Sequence, residues 1–364
     1  MEDSPVKRIA GVHNFNSGPS VLPKEVFDEA SLSILDFNNT GLSILEIGHR
    51  TPLFQQVMDE AVALTRELMN LDEEHEVLFL HGGASTQFFQ VPMNLLNENE
   101  TAAYLDCGTW GTKAIKEAKL FGNVHVVASS ADKNYTYIPR GYSIPEDAKY
   151  FHYTTNNTIE GTQVHSIPET DVPLVADMSS DILSRTMDYN RFALIYAGAQ
   201  KNLGAAGVNL VVVKKDILGK VNRKLPTMMD YRIHIANGSM VNTPPVFAVY
   251  VCMLTLRWLK KQGGVRVMEK INEQKAKLLY DTLDALPVFH PKVEKEDRSL
   301  MNVVWTMEAE LEKQFLEECK ANGMVGIKGH RTVGGFRASL YNALAMESVI
   351  ALTDLMKDFA NRKG

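Results

Sequence analysis

Residues 193–213 read ALIYAGAQKNLGAAGVNLVVV. Two apolar runs, Ala193–Ala197 and Val208–Val213, are short, rich in branched side chains and bounded by glycine, so each predicts a buried strand. Between them lies one ionisable residue, Lys201. A solvated loop lysine is the ordinary alternative, but the small residues on both sides favour close approach of the backbone to a bulky ligand. Partial burial would then favour a neutral, nucleophilic amine at Lys201.

Similar apolar runs recur upstream of this stretch and indicate the fold class. Strands are predicted at Val77–Leu80, Ala102–Leu105, Val124–Ala128, Tyr150–Tyr153 and Leu174–Ala176. Most of the strands are separated by segments with helical periodicity, which is typical of a largely parallel α/β sheet. We therefore predict an N-terminal arm over 1–13, a large domain over 14–260 with a mostly parallel seven-stranded sheet flanked by helices, and a small C-terminal α/β domain over 261–364.

Residues that suit ligand binding follow several of these strands. Ligands of parallel sheets bind beyond the carboxyl ends of the strands, so we expect one site there, formed by Gly83–Ser85, Trp110, Asn156–Thr158, Asp177 and Lys201. The turn GGAS at 82–85 precedes a helix, and it offers free backbone N–H groups and the positive end of a helix dipole to a phosphate. Trp110 could stack on a flat heterocycle, although core packing is the usual role of a tryptophan.

Asp177 and Lys201 together indicate a cofactor. A carboxylate at a buried strand end is costly unless a cation faces it, and a protonated pyridine nitrogen is such a cation. A lysine that forms a Schiff base and an aspartate on the pyridinium nitrogen are the pair that pyridoxal phosphate requires. Taken alone, an aspartate in this position more commonly caps a helix or bonds a loop.

Composition restricts the remaining functions. The 364 residues carry a formal net charge of -6, which argues against a general role at nucleic acids or membrane surfaces. Three scattered cysteines without a CxxC pair fit a reducing compartment. The N-terminus lacks the apolar segment of a signal peptide, so we expect a cytoplasmic protein. The ten histidines form no helical metal pair, and no metal is expected.

An anion site in an acidic protein must be a local cluster of basic residues. His49 and Arg50 follow a glycine, as do His330 and Arg331, and Arg337 lies shortly after the second pair. Arginine forks match the geometry of phosphate and carboxylate groups. For either pair taken alone, a solvated surface position is the more common role.

Several short motifs resemble those of the phosphoserine aminotransferases, which are class-V aminotransferases. One is Ala197–Asn202 followed by Gly204 and Gly207. The others, in family order and at family spacing, are Asn16–Pro19, Gly48–Arg50, His81–Gly83 with Gln87 and Phe88, Ala176–Ser180, Asn242–Pro245, Lys328–Arg331 and Gly334–Ser339. The motifs extend from about residue 14 to the C-terminus, and jointly they are highly specific.

The resemblance implies a fold-type-I pyridoxal-phosphate enzyme that works as a homodimer with its sites at the interface. It assigns to Lys201 the Schiff base and the proton transfer, and to Asp177 the contact with the ring nitrogen. Around the cofactor it places Trp110 against the ring, Thr158 near the ring hydroxyl, Ala84, Ser85 and Gln200 at the phosphate, and Asn242 and Thr243 at the phosphate bound by the other subunit.

For the reaction, the resemblance implies transfer of an amino group from L-glutamate to 3-phosphohydroxypyruvate, which gives O-phospho-L-serine and 2-oxoglutarate. It leaves open 4-phosphohydroxy-L-threonine, from pyridoxine biosynthesis, as a further substrate. The expected substrate contacts are Ser17 in the cleft, Arg337 at the α-carboxylate, and His49, Arg50, His330 and Arg331 at the phosphate.

Other functions agree less well with the sequence. Another class-V aminotransferase is the nearest alternative. A cysteine desulfurase would need a nucleophilic cysteine on a mobile loop, but Cys319 lies in a helical pattern and Cys107 shortly precedes Trp110. An NAD dehydrogenase is disfavoured because GAAG at 204–207 precedes a strand instead of following one. A catalytically silent binding protein on the same fold stays open.

Overall fold

The computed structural model describes residues 11–363 of the chain, so positions 1–10 of the predicted arm lie outside the described range. The strands are β1 (His13–Asn14), β2 (His75–His81), β3 (Thr101–Asp106), β4 (Asn123–Ser129), β5 (Phe151–Thr154), β6 (Leu174–Asp177), β7 (Phe192–Gly198), β8 (Val208–Lys214), β9 (His290–Pro291), β10 (Asn302–Thr306), β11 (Met324–Val325) and β12 (Phe336–Ser339). The α-helices are α1 (Lys24–Leu35), α2 (Pro52–Met69), α3 (Ala84–Leu95), α4 (Thr109–Ala118), α5 (Tyr231–Ala236), α6 (Val246–Lys261), α7 (Val265–Ala285), α8 (Ala309–Ala321) and α9 (Met346–Asn361). Within 11–363, no helix is long and apolar enough to cross a membrane.

The largest sheet has seven strands in the order β2-β8-β7-β6-β5-β3-β4. Neighbouring strands from β7 to β4 run parallel, whereas β8 is antiparallel to both β2 and β7. Every residue of β7 is buried, because one apolar cluster containing α2 and α6 and another containing α3 and α4 cover the two faces of the sheet. The predicted α/β class with a mostly parallel seven-stranded sheet is confirmed.

The antiparallel direction of β8 follows from the short connection after β7. Residues 199–207 join the two strands, which is too few for the crossover that parallel neighbours need. The connection turns tightly, because the N–H of Gly204 donates to the carbonyl of Ala199 at 2.7 Å. A Cβ on Gly204 would lie 2.8 Å from the Sγ of Cys252 in α6, so only glycine permits this contact. Lys201 is thereby held beside the carboxyl end of β7.

The C-terminal part has its own sheet and core. Strands β12, β10 and β9 form an antiparallel sheet in that order, and a separate apolar cluster contains Trp305, Phe315 and Phe359. Phe15 belongs to this cluster as well, and β1 pairs with β11. We therefore propose two domains, 14–260 and 261–364, with the chain at positions 13–15 packed on the second.

A buried lysine of α7 fixes the segment that follows β12. Lys275 is fully buried, and its ammonium donates to the carbonyl oxygens of Leu340 and Tyr341 at 2.9 Å and of Leu344 at 3.2 Å. Burial lowers the pKa of Lys275 to about 7. The Tyr341 carbonyl also accepts from the N–H of Leu344 at 2.8 Å, so the carbonyls of Leu340 and Leu344 are the two that depend on this single donor from a neighbouring helix.

Replacement of this donor should destabilise the protein. In Lys275→Met the carbonyls of Leu340 and Leu344 lose their partner, and we expect the free energy of unfolding in urea to fall by about 3 kcal/mol, since each unsatisfied buried group costs roughly 1–3 kcal/mol. Lys277→Met is the control on the same helix, because Lys277 is exposed and pairs with Asp281 four residues later. The control should change stability by less than about 0.5 kcal/mol. Equal stability of the two variants would contradict the role assigned to Lys275.

Candidate active site

A cavity of about 260 Å³ opens at the carboxyl edge of the parallel strands. The predicted site residues that line it are Ser17, Ala84, Ser85, Trp110, Thr158, Asp177, Gln200, Lys201, His330 and Arg337. The position of the cavity agrees with the rule that open α/β sheets bind ligands beyond the carboxyl ends of their strands. Residues from both proposed domains therefore meet around one space.

Lys201 is the buried amine of this cavity. Its side chain is 8% exposed, and its Nζ donates to the Oγ1 of Thr158 at 2.7 Å. Burial lowers the pKa of Lys201 to about 8, although the charge of Asp177 acts in the opposite direction. The Oγ of Ser20 donates to the carbonyl of Lys201 at 2.7 Å and fixes its backbone. Near neutral pH an appreciable fraction of the amine is consequently uncharged and nucleophilic.

Asp177 ends β6 and presents its carboxylate to the same cavity. Its Oδ1 accepts hydrogen bonds from the N–H of Ser179 at 2.9 Å and from the Oγ of Ser179 at 2.6 Å. Burial raises the pKa of Asp177, while the hydrogen bonds from Ser179 and the charge of Lys201 lower it. A cation placed against this carboxylate would relieve the cost of its burial.

The connection between β2 and α3 forms the predicted phosphate seat. Gly82 and Gly83 both have positive φ angles, of 97° and 75°, and a Cβ on Gly82 would lie 2.1 Å from the Oγ1 of Thr86. Ala84 and Ser85 are the first residues of α3, where backbone N–H groups lack partners within the helix. The helix start faces the cavity, which is a favourable arrangement for an anion.

Trp110 lies in the first turn of α4 and lines the cavity. Its indole Nε1 is buried and has no hydrogen-bond partner within the described residues. The turn is held by Glu160, whose Oε1 accepts from the N–H of Thr109 at 2.9 Å and from the Oγ1 of Thr109 at 2.5 Å. Burial raises the pKa of Glu160, and its contacts with Thr109 oppose that shift.

Arg337 connects the C-terminal domain to the cavity. It is 8% exposed, and its Nη2 donates to the Oγ of Ser17 at 2.6 Å, while its Nη1 donates to the carbonyl of Thr158 at 3.2 Å. Its Nε is buried without a partner in the described part of the chain. A largely buried guanidinium with an unused donor is suited to a carboxylate ligand.

His330 stands at the mouth of the same cavity. Its Nδ1 lies 2.8 Å from the Oγ1 of Thr332. Burial lowers the pKa of His330, and the nearby cations Arg337, Arg331 and Lys113 lower it further. Arg331 is exposed and does not line the cavity, although its charge reaches His330.

Four other predicted residues do not line this cavity. His49 is half-buried, and its Nε2 has no partner within 11–363. Arg50, Asn242 and Thr243 are exposed. The carbonyl oxygen of Thr243 lies 3.0 Å from the Nε2 of His81, so this segment runs close to the β2–α3 turn without entering the cavity. One chain by itself does not bring these side chains to the site.

Two residues that support the site through hydrogen bonds were not among those predicted from sequence. Ser179 holds Asp177, and Glu160 holds the turn that carries Trp110. Both lie in polar runs directly after buried strands, 178–181 after β6 and 155–160 after β5. That position was the available signal, but it does not tell which polar side chain bonds which neighbour.

The residues present fit pyridoxal phosphate. The cavity combines an amine with a lowered pKa, a buried carboxylate that lacks a full counter-charge, and an indole whose Nε1 has no partner. It also contains the start of a helix of 12 residues. The amine would bond the aldehyde of the cofactor, and the carboxylate would face its ring nitrogen. The indole would pack on the ring face, and the helix start would bind the phosphate.

Comparisons with known proteins agree with this chemistry. The family model described as aminotransferase class-V matches residues 12–352. A phosphoserine aminotransferase of Flavobacterium johnsoniae is 56% identical over 347 residues, covering 95% of this chain and 98% of that protein. The structure of phosphoserine aminotransferase from Bacillus circulans subsp. alkalophilus superposes with a TM-score of 0.94 at 44% identity, covering 97% of this chain and 99% of that one. A pyridoxal-phosphate-bound phosphoserine aminotransferase from Trichomonas vaginalis gives a TM-score of 0.91 at 36% identity, with 95% and 99% covered.

The lowered pKa of Lys201 predicts how the cofactor-free protein takes up pyridoxal phosphate. The uncharged amine is the reactive form, so the rate of uptake should rise roughly tenfold between pH 7 and pH 9 and then level off. Absorbance in a stopped-flow instrument measures this rate. In Asp177→Asn the midpoint should move to lower pH, because the carboxylate stabilises the ammonium. A rate that kept rising beyond pH 10, as for a solvated lysine, would refute the assignment.

Proposed function

The chain belongs to the class-V aminotransferase family, and we propose that Lys201, Asp177 and Arg337 carry out its reaction in the cavity described above. The reaction is a transamination with pyridoxal phosphate, in which L-glutamate and 3-phosphohydroxypyruvate give 2-oxoglutarate and O-phospho-L-serine, a step of serine biosynthesis. The observation that supports the site best is the buried amine of Lys201 beside the buried carboxylate of Asp177.

Lys201 acts as the attachment point and then as the proton carrier. When bound, pyridoxal phosphate supplies an aldehyde that accepts amino groups and a ring that withdraws electrons from the substrate α-carbon. Once its amine is free, the Nζ of Lys201 takes the α-proton, because an amine with a pKa of about 8 is a competent base near neutral pH. Thr158, at 2.7 Å from Nζ, restricts where the amine points.

Asp177 would contact the cofactor ring, and Arg337 would contact the substrate. The carboxylate of Asp177, kept in place by Ser179, favours a protonated ring nitrogen across from it. Arg337 binds the α-carboxylate of each amino acid, for which its buried and unpartnered Nε is available. We assign the phosphate of the substrate to His330 and Arg331, because His330 lines the cavity and the charge of Arg331 reaches it.

A test of this function compares donors that differ in one group. With 2-oxoglutarate as acceptor, phosphoserine should exceed serine in kcat/KM by about 100-fold or more, since two charge-assisted hydrogen bonds contribute roughly 1.5–3 kcal/mol each. Lys201→Ala should abolish turnover with every donor. Including 4-phosphohydroxy-L-threonine decides whether the same cations also accept that substrate. Equal rates with phosphoserine and serine would exclude the proposed substrate.

We also propose a homodimer in which each subunit completes the other's site. Leu32 and Leu35 of α1 are 54% and 73% exposed, and Leu42 and Leu45 in the loop that follows are 46% and 62% exposed. Four large apolar side chains that are exposed within 14 residues of the chain favour association. The same loop leads to Arg50, a predicted phosphate ligand that does not line its own chain's cavity.

Hybrid dimers test this arrangement. If Arg50 acts in the other subunit, co-expressed Lys201→Ala and Arg50→Ala chains should recover about a quarter of wild-type activity, because half of the dimers are hybrids with one intact site of two. Lys201→Ala combined with Arg337→Ala is the matched control and should recover none, since both residues serve the same chain's cavity. Activity measured on the purified mixtures decides. Absence of recovery in the first pair would contradict the shared site.

The cellular location is proposed from the cysteines. Cys107, Cys252 and Cys319 are all buried and free. Burial raises the pKa of each thiol to about 12, so the thiols are unreactive. That all three cysteines are free, with no disulfide among them, supports a reducing compartment such as the cytoplasm.

A further inference from the structure

Lys113 lies on α4, one turn after Trp110, and its side chain is exposed. Its Nζ is 4.3 Å from the centroid of the Trp110 ring, the same ring that lies 5.9 Å from the Nζ of Lys201. Trp110 lines the active-site cavity. An ammonium that rests on this indole is therefore placed beside the cavity, although Lys113 does not belong to its lining.

The charge of Lys113 is not neutralised by a carboxylate. Within residues 11–363 the ammonium contacts the Trp110 ring and forms no ion pair. The cation–π contact leaves the ammonium free to bind an anion, and it limits the positions that the lysine side chain explores. Because Glu160 holds the first turn of α4 through Thr109, the base of Lys113 is fixed as well.

The field of Lys113 reaches the mouth of the cavity. His330, which lines the mouth, feels three cations that all act in the same direction, Arg337, Arg331 and Lys113. Such a concentration of positive charge, in a protein with a net charge of -6, is unfavourable unless an anion binds there. A phosphate dianion would benefit from Lys113 more than a singly charged carboxylate would.

We propose that Lys113 is a specificity-determining residue, which binds the phosphate end of the substrate at the mouth of the cavity and so favours the phosphorylated amino acid over glutamate. The proposal rests on the phosphoserine aminotransferase function argued above. The alternative is that Lys113 only positions the Trp110 indole. In that case its replacement would affect both substrates and the bound cofactor alike.

The test uses the complete enzyme with its cofactor and three variants. Lys113→Gln removes the charge, Lys113→Arg keeps it, and Lys119→Gln is the matched control, since Lys119 is exposed and lies about 9 Å further along the axis of α4. We expect Lys113→Gln to lower kcat/KM for phosphoserine about tenfold, mainly through KM, and to change glutamate less than twofold. Lys113→Arg should recover most of the loss. High salt should reduce the difference between wild type and Lys113→Gln.

Other results would overturn the proposal. Equal losses for phosphoserine and glutamate, with a shifted absorbance of the bound cofactor, would show that Lys113 supports Trp110 instead. No loss for either substrate, or the same loss in Lys119→Gln, would show that its charge is irrelevant to substrate choice. If the wild-type enzyme itself did not prefer phosphoserine to serine, the proposed function would fail, and the role of Lys113 with it. The wild-type measurement thus separates the two failures.

Discussion

The chemistry that we propose for this protein depends on two ionisable groups buried together at one edge of a sheet. Asp177 and Lys201 are 4% and 8% exposed. Burial raises the pKa of Asp177 and lowers the pKa of Lys201, so it favours the neutral form of each group. The two opposite charges counteract these shifts, because each stabilises the other. Burial of charge is expensive, and the protein limits that cost with hydrogen bonds from Ser179 to Asp177 and from Lys201 to Thr158. The burial that costs stability also makes the Lys201 amine reactive, because it increases the uncharged fraction of the amine near neutral pH.

Two features of the fold bring these groups together. One is the tight connection between β7 and β8, and the other is a set of contacts with the proposed C-terminal domain. The tight connection 199–207 keeps Lys201 at the carboxyl edge, where β6 also ends with Asp177. Residues 17–20 then link the domains, because Ser17 accepts from Arg337 and Ser20 donates to the Lys201 carbonyl. Arg337 and Lys201, the proposed substrate and cofactor residues, are thus positioned by one short segment, although they lie far apart in the sequence.

The sequence predicted the sheet well because most of its strands are short, largely apolar runs. The run Val208–Val213 lies within β8, Val208–Lys214, and the run Leu174–Ala176 lies within β6, Leu174–Asp177. In contrast α5, Tyr231–Ala236, is too short to show a helical period, and it was not predicted. Within the site, Lys201 and Asp177 could be predicted because they lie beside recognisable strands. Glu160 could not be assigned, because its partner Thr109 begins α4, 51 residues earlier in the chain, and only the folded chain joins them.

A transaminase of this kind must admit two substrates of different charge to one pocket in turn. A set of arginines that binds a phosphate dianion tightly would place the glutamate carboxylate in the same strongly positive environment. When no anion is bound, the guanidinium groups would repel one another. His330 eases this conflict, because burial and the cations around it lower its pKa and so favour the neutral ring when the mouth is empty. An arriving dianion favours the protonated ring instead. With the phosphate bound as proposed, the charge of His330 would rise with that of the occupant, whereas guanidinium groups stay charged throughout.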